Sequence, residues 1–143
     1  MFPGRLLFGA ALAALALAQP HPNFTGAWKL NEALSGSTPA GAHEILFQIQ
    51  HKDPAFRYSA TGKQGLAPFN EAYEFTTDGK MPADSSKLGV TGQWDGEALD
   101  LRYVKDGKEI AKVILRLSPD ARQMTRETEF ANKRLIREIY DRQ

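Results

Sequence analysis

The sequence predicts an all-β domain of about nine short strands, and three observations carry that reading. Side chains alternate apolar and polar at period two through most of the chain. Asp-Gly dipeptides recur at Asp78-Gly79, Asp95-Gly96 and Asp106-Gly107, each between strand-like runs. No stretch has both the 3.6-residue period and the length of a helix that would compete. The pattern fits a β-sandwich or a barrel.

Taken in order, the elements begin with the run Phe24 to Leu30. Next, His43, Ile45, Phe47, Ile49 and His51 share one strand face, while Glu44, Leu46, Gln48 and Gln50 take the other. That strand stops at Lys52-Asp53-Pro54, since proline cannot donate to a ladder. A short run through Phe56, Tyr58 and Ala60 is expected to close at Gly62. Phe69, Glu71, Tyr73 and Phe75 share the following face, and Leu88, Val90, Gly92 and Trp94 the one after it. Later strands are read at Leu99 to Tyr103, Val113 to Leu117, Met124 to Phe130 and Leu135 to Tyr140. Asp-Gly supplies the positive φ of tight hairpin turns, so the connections are expected to be mostly antiparallel hairpins. The stretch Asn31 to Ala42, with Gly36, Pro39 and Gly41, reads as a surface loop with at most one helical turn around Glu32 to Ser35.

The first 18 residues read as a cleavable signal peptide, leaving residues 19–143 as one domain. Arg5 precedes the 12-residue apolar stretch Leu6 to Leu17, and Ala16-Leu17-Ala18 has the small-x-small form that signal peptidase accepts. A membrane-spanning helix needs about 20 apolar residues, so a retained anchor is not expected. The expected location is periplasmic or secreted, without a membrane anchor, and the expected state is a monomer. No cysteine is present, so a core rather than disulfides must stabilise the domain. A chain with 18 basic and 17 acidic residues lacks the net basic surface that nucleic acid demands. Asn23-Phe24-Thr25 matches the glycosylation sequon, a three-residue pattern that recurs by chance.

Phe24-Thr25-Gly26-Ala27-Trp28-Lys29-Leu30 resembles the Gly-x-Trp first strand of the calycin superfamily, which includes lipocalins and fatty-acid-binding proteins. Thr77-Asp78-Gly79-Lys80, Gln93-Trp94-Asp95-Gly96 and the ending Arg137 to Arg142 fall in the order seen in the fatty-acid-binding group. Gln50 to Pro54 and Trp94-Asp95-Gly96 also resemble phrases in small secreted bacterial lipocalin-like proteins. The resemblance implies a single antiparallel up-and-down β-barrel of about eight to ten strands around a cavity. It implies that Trp28 packs at a closed end under Arg137 or Arg142. Two departures stand out. Asn31 to Ala42 is too short and too rich in Gly and Pro for the helical lid of fatty-acid-binding proteins. Where those proteins place an inward Arg-x-Tyr on the ligand carboxylate, this chain has Glu138-Ile139-Tyr140, so carboxylate recognition does not transfer.

No catalytic constellation emerges, and the chain is read as a non-enzyme that needs no cofactor. There is no Gly-x-Ser-x-Gly elbow, no P-loop and no His-Glu-x-x-His helix. His43 and His51 lie ~26 Å apart along an extended strand, too far to share a metal ion, and read as strand-end surface residues. Glu127 and Glu129 share a face that reads as solvated exterior, because Met124 and Phe130 claim the other. Arg126 lies on that second face and needs a partner if it points inward. It is either one half of an internal ion pair, with Glu71 as a candidate, or an anion anchor. By the same parity Tyr58, Phe69, Tyr73, Phe75, Tyr103, Phe130 and Tyr140 would line a hollow barrel with Arg126. The preferred function is non-covalent binding of a small apolar or amphiphilic molecule. The alternative is an interaction module or hydrolase inhibitor with a packed barrel, making contact through Asn31 to Ala42.

Overall fold

A computed structural model describes residues 21–36, 38, 41–81 and 88–143, so the expected signal peptide, residues 1–18, lies outside the described residues. Nine strands form: β1 (Gly26–Leu30), β2 (Ala42–Lys52), β3 (Ala55–Gln64), β4 (Ala67–Thr76), β5 (Gly89–Asp95), β6 (Ala98–Lys105), β7 (Lys108–Leu117), β8 (Gln123–Phe130) and β9 (Leu135–Arg142). They make one antiparallel sheet in the order β4-β3-β2-β1-β9-β8-β7-β6-β5. Pairing of β1 with β9 joins the first and last strands. The edge strands β4 and β5 meet through the bridge Asp78 to Gln93 and the bond from Gly79 N–H to Gly92 O at 2.7 Å. The sheet is thus a nearly closed up-and-down barrel, with no strand ladder between β4 and β5 among the described residues.

The turns follow their sequences with two exceptions. Asp106 and Gly107 adopt φ of 51° and 74°, the paired positive values of a type I′ hairpin, and Gly96 opens the β5–β6 turn at 60°. Asp78-Gly79 instead begins a longer connection, because the chain must return from the end of β4 to the far end of β5. Gly62 does not end its strand either. It continues β3 beneath the Phe69 ring of β4, where a Cβ would meet ring carbons at 2.8 Å. Gly92 lies beneath Phe75 in the same way, at 2.8 Å across the β4–β5 seam. Both glycines are there for close approach.

Parity holds along most strands and fails at the start of β2. Glu44 takes φ of 51° and the β2–β3 register shifts between His43 and Leu46. This bulge buries Ala42 and turns His43 off the face of Ile45, Phe47 and Ile49. His51 keeps to that face but is not the surface residue expected, being 7% exposed. Asn31 to Ser35 forms one turn, held by Asn31 Oδ1 on Leu34 N–H and Asn31 O on Ser35 N–H. Ser35 Oγ accepts from Ile139 N–H and so ties the turn to β9. No helix covers the barrel among the described residues.

One end of the barrel is solid. Phe24, Trp28, Phe56, Leu99, Leu101 and Met124 are at most 2% exposed and fill it. Trp28 donates its indole N–H to Phe24 O at 2.9 Å and lies 4.2 Å under the Arg142 guanidinium, which also donates to Thr25 O and Ala121 O. Arg142 therefore covers Trp28. Arg137 points outward, 3.9 Å from Glu127, as strand alternation requires of residues an odd number apart.

Candidate binding cavity

Above the solid half, the inner faces diverge around a cavity of about 360 Å³. It opens at the end of the barrel where β3 turns into β4, β6 into β7 and β8 into β9. Six of the side chains expected inside line it: Phe69 and Tyr73 from β4, Tyr103 from β6, Arg126 and Phe130 from β8, and Tyr140 from β9. Tyr58 and Phe75 do point inward, but they sit below the cavity in the packed half, where Phe75 stacks on Phe56 at 4.8 Å. Parity places a side chain on a face; it does not say at what height the interior becomes solid. Phe47, Val113 and Ala111 complete much of the apolar wall.

Polar groups gather on the cavity floor. Arg126 and Glu138 are directly opposed in the β8–β9 register, and their Nη1 and Oε1 atoms lie 3.0 Å apart. Glu138 is 1% exposed, and the Tyr140 hydroxyl donates to its second oxygen at 2.9 Å. Arg126 also donates from Nη1 to Thr128 Oγ1 at 3.2 Å and lies 5.7 Å from the Phe47 ring centre. The ion-pair alternative is the one formed, with Glu138 as partner. Glu71, the candidate named from sequence, lies on the cavity wall and is exposed. Glu138 carried a usable signal, since it alternates with Ile136 and Tyr140 on one face of β9. What sequence lacked was the register that sets it opposite Arg126.

Burial is the largest influence on Arg126 and opposes its charge, yet the oxygens of Tyr103 and Glu138 outweigh it and hold the guanidinium above its ordinary pKa. Burial pushes the hydroxyls of Tyr58 and Tyr140 well above the ordinary tyrosine value. Both therefore remain neutral donors, and Tyr58 shares a hydrogen bond with the Tyr103 hydroxyl just beneath the cavity. Among the described residues no group of three His, Cys, Asp or Glu side chains converges as metal ligands. The arrangement can enclose an apolar body and offer hydrogen bonds at its floor.

A second polar cluster stands at the solid end. Asp53 accepts from Thr77 Oγ1, from the Trp94 indole at 3.2 Å, from His51 Nε2 at 3.1 Å and from His21 Nδ1 at 3.3 Å. Phe24 N–H donates to His51 Nδ1 at 3.2 Å, which leaves the His51 proton on Nε2, facing Asp53. His21 stacks on Trp94 with ring centres 4.2 Å apart. Partial burial, the largest influence, raises the Asp53 pKa, but donors from Thr77, His51, His21 and Trp94 hold it down at about 2. The cluster fastens the segment before β1 across the end of the barrel.

The architecture is a nearly closed up-and-down β-barrel with an interior cavity. Solved structures of that type superpose over most of this chain. Wild-type UnaG, a fluorescent protein, matches with a TM-score of 0.61 and 14% identity over 84% of this chain and 97% of its own. REP1-NXSQ, named a fatty acid transporter, matches with a TM-score of 0.58 and 13% identity over 84% and 96%. At such identities the likeness establishes the fold. No protein-family profile and no curated protein sequence matches the chain.

Proposed function

We propose that this protein is an exported, monomeric carrier that holds a small, partly apolar molecule non-covalently in the open half of its barrel, without chemical turnover. The observation that carries this reading is the cavity itself: about 360 Å³ with an aromatic and aliphatic wall and a few converging polar groups, the usual make-up of a small-molecule site. A packed interior would have favoured the interaction-module alternative. The fold shared with a protein named a fatty acid transporter supports the same reading. Export is supported by Arg5, the apolar stretch Leu6 to Leu17 and Ala16-Leu17-Ala18. An intact mass beginning at Gln19 in the envelope or medium is expected, and a full-length mass in the cytoplasmic fraction would count against export.

The test of binding is displacement of a neutral solvatochromic dye by medium-chain amphiphiles. It is run on wild type and on Ala111→Phe, which places a ring inside the cavity. Wild type should bind dye and competitor, and Ala111→Phe should lose at least tenfold in affinity while keeping its β-sheet circular dichroism. Equal binding by a folded Ala111→Phe would place the ligand elsewhere.

A further inference from the structure

The floor of the cavity bears on what kind of molecule it accepts. Among the described residues, three charged side chains face the space: Arg126, Glu138 and Glu71. Arg126 and Glu138 neutralise each other as a directly opposed pair, and Glu71 adds a negative charge at the wall. Glu138 has both oxygens engaged, one by Arg126 and one by the Tyr140 hydroxyl. The guanidinium is less fully used. Its recorded bonds all leave from Nη1, to Glu138 and Thr128, so Nε and Nη2 have no protein partner among the described residues. Among the described residues no fully buried side-chain nitrogen or oxygen lacks a partner, so these two unpartnered nitrogens are not fully buried and open to the cavity that Arg126 lines.

We propose that the cavity selects an uncharged amphiphile with a hydrogen-bond acceptor at its polar end, such as an amide, ester or ketone, and discriminates against the carboxylate. This deepens the carrier reading above and rests on it. A neutral acceptor takes the unused donors of Arg126 and leaves the ion pair intact. A carboxylate at the same place adds a second buried negative charge beside Glu138 with one cation between them, and low-dielectric surroundings strengthen that repulsion. Removing Glu138 from Arg126 to make room would strand a buried carboxylate, which is costlier still. Glu138 is thus the specificity-determining residue, and Arg126 the group that touches the ligand.

The experiment compares octanamide with octanoate, two probes of equal chain length, by calorimetric titration of wild type and Glu138→Gln. At pH 7 wild type should bind octanamide at least tenfold more tightly than octanoate. Glu138→Gln keeps the side-chain shape and removes the negative charge, and should shift the ratio at least tenfold toward octanoate. Should that variant fail to fold, wild type alone decides: octanoate binding should strengthen as pH falls through the probe's own carboxyl pKa, while octanamide binding stays flat. Octanoate binding as tightly as octanamide at pH 7, a ratio unmoved in folded Glu138→Gln, or an octanoate affinity that does not rise with acid would each overturn the selectivity. Binding of neither probe would instead remove the carrier reading on which it depends.

Discussion

The two ends of this barrel are built from the same strands with the same alternation, yet they use polar groups in opposite ways. At the solid end, Asp53 gathers donors from Thr77, Trp94, His51 and His21, and Arg142 spends its donors on backbone carbonyls while covering Trp28. Those groups fasten chain to chain. In the open half, Glu138 is saturated but Arg126 keeps donors toward an unfilled space. The difference teaches that an inward polar residue is not by itself a binding residue. What separates the two cases is whether its hydrogen-bonding capacity is used up within the protein.

The contrast is broken most forcefully at Trp28. Replacing this fully buried ring with alanine should cost about 3–5 kcal/mol, read as a lower denaturation midpoint, as for other large-to-small changes of buried aromatics. Phe69→Ala, at the half-buried rim of the cavity, should cost less than half as much and should weaken ligand binding. Similar losses of stability from the two would erase the distinction between the ends.

A smaller effect is expected from the two glycines that lie beneath aromatic rings. Gly92→Ala drives a methyl group into Phe75, which is buried and cannot retreat, and should cost about 1–3 kcal/mol by overpacking. Gly62→Ala meets Phe69, whose ring borders the open cavity and can swing into it, and should cost less than Gly92→Ala. Chemical denaturation of both variants checks the order. A reversed order would mean that the open half is packed as tightly as the solid one.

The smallest effect depends on pH. The folded-state pKa of Asp53, at about 2, lies below its ordinary 3.8, so the folded protein favours the ionised form. Its contribution is present above the ordinary value and is lost as pH falls from about 4 through about 2. Because the side chain is 41% exposed, screening reduces the effect to about 1 kcal/mol. Wild type should lose that increment between pH 4 and pH 2, and Asp53→Asn should not. Parallel acid curves for the two proteins would detach Asp53 from the fastening of this end.

Much of this was legible in the chain. Alternation found the strands and the inward face of β8, because period two is a property of the strand itself and Met124, Arg126, Thr128 and Phe130 display it plainly. Trp28 and its role at the closed end came from the resemblance. What escaped the sequence depends on relations between distant segments. The Glu44 bulge is a non-glycine residue at positive φ, which nothing in its identity announces. The Arg126–Glu138 pair needs the β8–β9 register, and the Asp53 cluster needs residues from His21 to Trp94 brought together by barrel closure. The boundary between filled and hollow interior, which excludes Tyr58 and Phe75 from the cavity, is set by how far side chains reach inward from all nine strands at once.

The division between a fastened end and a binding end can be observed in one measurement, because both tryptophans lie at the fastened end. Two-dimensional amide NMR of the labelled protein, titrated with octanamide, reads both halves together. Saturation should shift the backbone amides of Phe69, Tyr103, Ala111 and Phe130 while the indole signals of Trp28 and Trp94 stay in place. Shifts confined to the indoles and to the residues around Asp53, with the upper strands unmoved, would contradict the assignment of the open half as the ligand site.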